Sequence, residues 1–267
     1  MTPSASVKSL NGSIVESEKR APAAASTLKP FNASTPPAWS LKHLHRLIVM
    51  SATYRQSSKV RPELTNIDPN NKLLARQNRL RLDAEAVRDV ALAAGGLLSD
   101  KMGGPSMFPP IPDGVMTLGQ VKRDWKTSEG PDRYRRGLYT FFFRATPHPS
   151  LAVFDAPDSF STCTRRMRSN TPLQALTLLN DQAFFEFAQG LAARVLREAP
   201  KNNAAGLEYA FRLCVSRKPA PDEKQRLNEL LSADLREAEG NEVQKQTEAW
   251  TTVARVLLNL DETITRE

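Results

Sequence analysis

The sequence predicts a mainly α protein: a bundle-like helical core carrying a long irregular insert with room for short strands. Three observations predict it. Apolar residues recur at helical spacing in one stretch after another. Helix-start residues stand just ahead of those stretches: Ser40, Asp68-Pro69, Thr171-Pro172, Asn180-Asp181 and Pro221-Asp222-Glu223. Between about residues 97 and 170 the helical period is lost in a segment broken by proline and glycine.

Residues 1–38, rich in Ser, Ala, Pro, Thr and Lys with no period, read as a disordered leader. The domain then spans 39–267. Ser40 caps a helix whose Leu41, Leu44, Leu47, Ile48 and Ala52 share a face through about Arg55. "QSSKVRPELTNIDPNN" connects it to a long helix opened by Asp68-Pro69, with Leu73, Leu80, Ala84, Val87, Ala91 and Ala94 as its stripe and Gly95-Gly96 as its stop. That helix would hold about 26 residues and extend roughly 39 Å at 1.5 Å per residue.

In the insert, "GGPSMFPPIPDG" forbids regular helix, "VMTLGQVKRDW" allows short strands, and Gly137–Arg144 reads as a buried strand, with a helix as the alternative at this length. A C-terminal helical group occupies 171–267. Thr171 and the pair Asn180-Asp181 cap its first two helices, and Leu207, Ala210, Phe211, Cys214 and Val215 give the third its stripe. Leu227, Leu230, Leu231 and Leu235 face inward from the helix opened by Pro221. Trp250, Val253, Ala254, Leu257 and Leu260 face inward from the last, about Val243 to Leu260.

The 37 basic residues outnumber the 29 acidic ones, a net charge of +8. Residues 120–170 hold ten of the former and five of the latter. The surplus raises the prior for an anionic partner without establishing one. Collagen-like, disulfide-scaffold and membrane-spanning classes are excluded, since no apolar run approaches the ~18–20 residues a bilayer needs. Two isolated cysteines, Cys163 and Cys214, leave no C-x-x-C or C-x-x-C-H pattern, so no Cys-rich zinc site and no covalent haem are expected; Cys214 reads as a core residue. No metal site is expected: His43 and His45, two apart on a helix, point to different faces. The N-terminus carries no signal peptide pattern, which leaves the location unknown.

Three polar clusters are candidates. On the long helix, Arg79/Asp83, Arg81/Glu85 and Glu85/Arg88 are three or four apart and can pair on its surface. Alternatively that face lies under the insert, where guanidinium–carboxylate pairs fix the loops; a catalytic carboxylate pair is the sharpest reading. Arg133, Arg135 and Arg136 beside Tyr134 and Tyr139 mix cations with rings as nucleic-acid sites do, or they mark arginines at the mouth of a core strand. The absence of a zinc finger, RNP box or KH loop argues against nucleic acid. Asp155, Asp158, Arg165, Arg166, Asn170 and Asn180 stand before a helix start; they either pin the loop or form an anion or sugar-acid site. His148, Ser150 and Asp155 could be imagined as a triad, but closeness in sequence says nothing of geometry. P-loop, zincin, nucleophile-elbow and EF-hand patterns are absent.

Six ordered strings carry a resemblance: "WSLKHLHRLIVMSATYRQSS", "DPNNKLLARQNRLRLDAEAVRD", "GGPSMFPPIP", "DRYRRGLYTFFFRATPHPSLAVFDAPD", "RRMRSNTPLQALTLLND" and "AWTTVARVLLNLDETITRE". Over about residues 39–267 the chain resembles the planctomycete-specific C-terminal (PSD-type) domain of unknown function found in large proteins with a planctomycete-type cytochrome c region. Longer members look exported to the cell envelope, and the resemblance implies an envelope electron-transfer or polysaccharide-handling assembly. It supplies no catalytic residues. Here the leader stands in place of everything upstream of Trp39, so the haem motif is absent and no cofactor is expected in this chain. That departure implies an N-terminally truncated or separated gene product. The family's aromatic stretch near 115–120 reads "VMTLGQ".

The leading expectation is therefore a non-enzymatic interaction or structural module of an envelope-associated, cytochrome-linked assembly, with other envelope proteins or an acidic polysaccharide as partners. The alternatives are an enzyme acting on acidic polysaccharide, with Asp155 or Glu85 as acid/base and Arg165 and Arg166 as anion clamps, and nucleic-acid binding through residues 133–168.

Overall fold

The computed structural model describes residues 39–117, 123–200 and 202–266. The leader and residues 118–122 of the "VMTLGQVKRDW" stretch lie outside the described residues. The chain divides into two compact units, one ending at Tyr54 and one beginning at Arg55.

In the first unit, helix α1 (Leu41–Met50) starts where Ser40 Oγ accepts from the His43 amide at 3.3 Å. It ends at Met50 rather than Arg55. The Ser51 hydroxyl donates to the Ile48 carbonyl at 2.8 Å and accepts from the Tyr54 amide, a local alternative to helical bonds.

In the second unit the expected helix of about 26 residues is cut to its last 11. Only α2 (Ala84–Ala94) is helical. Asn and Asp side chains take the backbone groups upstream. The Asp68 carboxylate accepts from the Lys72 and Leu73 amides, and the Asn71 amide donates to the Arg76 carbonyl. Asn71 and Leu74 are left-handed. Leu80–Arg81 is instead a short strand, β1, antiparallel to β2 (Thr265–Arg266), with Leu80 opposite Arg266. Gly95 and the left-handed Gly96 end α2 as the sequence indicated.

After its first helix, where Leu178 is buried but Leu173 and Leu176 are exposed, the C-terminal group follows its periodicity. Helices α4 (Pro172–Asn180), α5 (Gln182–Glu198), α6 (Asn203–Val215), α7 (Pro221–Glu237), α8 (Glu242–Leu258) and the short α9 (Asp261–Ile264) complete the frame. The longest seam is α5 against α8. Fully buried Ala188 and Ala192 on one side, and Ala249 and Ala254 on the other, are small enough for the two helices to approach closely. Phe184, Phe187 and Leu191 fill that core with Trp250, Val253 and Leu257. Each such burial is worth about 1.5–3 kcal/mol. Cys214 lies in the same core, its thiol pushed up to about 12 by burial.

Among its described residues the insert holds one short α-helix, α3 (Pro149–Val153), and 3₁₀ turns. Gly137–Arg144 is neither strand nor helix. It begins as a 3₁₀ turn at Gly137–Tyr139, and its one β-bridge among the described residues joins Thr140 to Met107. Its rings form a separate cluster, with Phe108 stacked on Phe141 at 4.9 Å and edge-on to Trp125 at 5.1 Å. Arg135, fully buried, organises the Gly/Pro-rich run. It donates to the Pro105 carbonyl at 2.6 Å and to that of Gly103, with its guanidinium 3.8 Å from the Tyr139 ring centre.

Gly137 seats the insert on α2. Its amide donates to Asp89 at 2.6 Å, and a Cβ there would meet the Glu85 carbonyl oxygen at 2.7 Å and the Glu85 Cα at 2.8 Å. Backbone cannot yield as a side chain does. Gly137→Ala is therefore expected to cost about 1–3 kcal/mol of unfolding free energy in urea titration.

Candidate functional site

Four short pieces of chain build an open groove of about 930 Å³. They are strand β1, the following Asp83 at the head of α2, the strap 165–170, and the α9–β2 corner with Asp261 and Thr265. The β1–β2 pairing brings Arg79 and Arg81 to Asp261, some 180 residues away in sequence. Arg79 Nη2 donates to Asp261 Oδ2 at 2.7 Å and Arg81 Nη1 to Oδ1 at 3.1 Å. Arg81 also donates through Nε to the Ser169 carbonyl at 3.2 Å and through Nη2 to Asn170 Oδ1. Only 12% of its side chain is exposed.

The strap is tied to α2 by a second set of pairs. Arg166 grips Glu85 with both terminal nitrogens, at 2.6 and 3.0 Å. Arg168 reaches Asp83 at 3.3 and 3.4 Å. Asp83 occupies the N-cap position of α2 without capping it, because its carboxylate is turned to these arginines. Burial pushes the Glu85 carboxyl up, but hydrogen bonds from Arg166 and from its own amide, with the Arg166 charge, hold it below the usual range. Arg165, Arg166 and Met167 also line a hollow of about 490 Å³ beside Asp155 and Cys163. The strap thus has open space on two sides and is held by hydrogen bonds of its own side chains and by those its backbone makes with Arg81 and Asp155.

Among the described residues that line the groove are five arginines and two aspartates. The Arg165 guanidinium makes no hydrogen bond or ion pair with any described residue, and Arg168 makes only long ones. The groove therefore presents guanidinium groups with bonding capacity to spare, the arrangement that receives carboxylate, sulfate or phosphate oxygens.

Of the residues singled out in sequence, Arg79, Arg81, Asp83, Arg165, Arg166 and Asn170 line this groove, and Glu85 supports it. The pairs along one helix do not form, since Arg79 and Arg81 precede α2. Glu85 and Arg88 diverge: Glu85 meets the strap, while the buried Arg88 donates to the Arg133 carbonyl at 2.8 Å and lies 5.2 Å from the Phe187 ring centre. Arg133 and Arg136 sit apart from the groove. Arg133 pairs with Glu186 on α5 at 2.6 Å, where Tyr134 also donates, and Arg136 pairs with Asp89 at 2.8 Å. Asp155 caps the strap from behind, accepting from the Ser169 amide and hydroxyl at 2.7 Å each. Asp261, Asp89 and Glu186 were missed in sequence. Asp261 carries a weak signal, standing at the head of a helical turn; what it faces is set by strand pairing alone.

The imagined triad is not assembled. The Pro110 carbonyl can only accept, so His148 Nε2 carries the proton at 3.1 Å from it, and Nδ1 accepts from Ser150 at 2.8 Å. Asp155 bonds Ser169 instead. His148 is 3% exposed, and burial, with the Arg88 charge adding and the Pro110 bond opposing, lowers its pKa to about 4.

A family model described as PSD1, protein of unknown function (DUF1553), matches residues 34–231, nearly three quarters of the chain. No curated protein and no solved structure matches it.

Two expectations follow from these contacts. Arg81→Ala, which strips the Ser169 carbonyl, Asn170 and Asp261 of a nearly buried donor, should cost about 1–3 kcal/mol. The half-exposed Arg79→Ala should cost under about 1 kcal/mol; equal losses in thermal melts would remove Arg81 as the pin of the groove. The buried His148 makes stability pH-dependent. The unfolded chain protonates it below about pH 6.5, whereas the folded chain does so only near 4. Its contribution is complete above the unfolded value and declines as pH falls toward 4, by about 3 kcal/mol. Glu85 and Glu186, held below their ordinary value of 4.5, lose theirs only below that pH. Urea midpoints at pH 7 and pH 5 should differ less for His148→Gln than for the wild type.

Proposed function

We propose, from the premise that this chain belongs to the PSD1 family of proteins of unknown function (DUF1553), that it is a non-enzymatic interaction module whose working face is the arginine-lined groove. Its partner is anionic. The observation that carries the reading is Arg165, an exposed guanidinium at the groove with no partner among the described residues, beside the loosely paired Arg168. The carboxylates expected to act as acid or base are otherwise engaged: Glu85 accepts from Arg166 through both oxygens, and Asp155 holds Ser169. That supports binding over turnover. The sequence resemblance supplies the setting, an envelope-associated, cytochrome-linked assembly, with another envelope protein or an acidic polysaccharide as partner. The role calls on no cofactor in this chain.

Binding of polyglutamate and of polygalacturonate is the direct test. At least one should bind at low salt and weaken steeply as salt rises, because exposed charges are screened. The Arg165→Ala/Arg168→Ala double variant should lose about tenfold or more in affinity. Binding of neither polymer at low salt ends the proposal. Cleavage of polygalacturonate that Asp155→Asn abolishes would replace it with the enzyme reading.

A further inference from the structure

The groove's wall is not a uniform field of positive charge, and its mixture indicates the kind of anion it fits. Asp83 and Asp261 stand between the arginines. A ligand with densely spaced charge would bring anionic groups onto both aspartates, an unfavourable like-charge contact. No aromatic ring lines the groove among the described residues. Bases bind single-strand sites largely by stacking on such rings, and sugar rings lay their C–H faces on them. What does line it is apolar: Leu80 is 37% exposed and Met167, on the strap between Arg166 and Arg168, is 78% exposed.

Arginine and methionine are enriched where proteins bind proteins, and methionine adapts its shape to the side chain it meets. A peptide answers each feature of the wall. Its carboxylates are separated by neutral backbone, so two can meet Arg165 and Arg168, three residues apart on the strap, with Asp83 left to share the Arg168 guanidinium. Its amides can donate to Asn170 Oδ1 or to the aspartates. An apolar side chain between its acids can lie on Met167 and Leu80.

We infer that the groove docks a short acidic segment of a partner protein, two Asp or Glu side chains flanking a large apolar one. The inference rests on the groove being the working face, and it adds the chemistry of the partner. Arg165 and Arg168 hold the carboxylates; Met167 and Leu80 receive the apolar side chain. Arg81 and Arg166, already committed within the fold, keep the groove's shape.

The test uses the full chain and a panel of labelled nonapeptides in which two glutamates flank a leucine at varied spacing. Each has a counterpart with serine in place of leucine, and oligogalacturonate of equal charge is titrated alongside. The best leucine peptide should bind about tenfold or more tighter than its serine counterpart and than oligogalacturonate. Met167→Ala should erase the leucine preference while leaving the serine peptide unchanged, and Arg165→Ala should weaken both. Both side chains are exposed and Arg165 is unpaired among the described residues, so neither variant threatens folding; unchanged melting curves confirm it. Equal binding of all three ligands would overturn the inference and leave the anionic groove standing. Tighter binding of oligogalacturonate would overturn it in favour of a polysaccharide partner. No binding by any of them overturns both.

Discussion

The described residues between α2 and α4 form almost no regular structure, yet their backbone carbonyls cannot be left dry and unpaired. Arginine side chains meet that constraint. Arg135 satisfies the carbonyls of Gly103 and Pro105, Arg88 that of Arg133, and Arg81 that of Ser169. The same device closes helix ends in the frame. Arg194 donates to the carbonyls of Ala93 and Ala94 at the end of α2, and Arg255 to Leu179 at the end of α4, where the exposed carbonyls carry partial negative charge. A planar group with five donors can serve two carbonyls at once and stack on a ring, as Arg135 does on Tyr139; a lysine could not. Much of the excess basic charge is in this sense structural.

The groove arises where that fastening is incomplete. Arg81 and Arg166 are committed to the fold, whereas Arg165 and Arg168, on the same strap, are bound loosely or not at all within the described residues. A short stretch of chain thereby carries both the pins that fix its position and guanidinium donors that the described fold does not use. The pins need not be individually strong, since exposed ion pairs contribute little. Their value lies in joining segments far apart in sequence, and in Arg81 being almost fully covered.

The legible parts of the sequence were those in which local spacing and tertiary burial agree. On α5, α6 and α8 the apolar stripe is the buried stripe, and Ser40, Asp181 and Gly95-Gly96 mark helix ends as their chemistry dictates. The misread parts were those with competing local bonds. Leu73 and Leu80 continue the period of α2 upstream, but Asp68 and Asn71 capture the amides and carbonyls that a helix would use, and Leu73 is left exposed. The aromatic run after Gly137 looked like a strand because its rings are apolar. They pack on Phe108 and Trp125 instead of across a sheet.

The sequence by itself determined the helical frame, the position of the irregular insert and the identity of most charged residues that matter. Periodicity and capping act over a few residues, and one sequence is enough to read them. Only the tertiary structure decided which acid each arginine meets. Arg79 and Arg81 found Asp261 rather than Asp83 and Glu85, because pairing of β1 with β2 delivers the chain's far end to them. A guanidinium accepts any suitably placed carboxylate or carbonyl, so the choice among partners is made by where the backbone brings them. The sequence does not carry that in any local pattern.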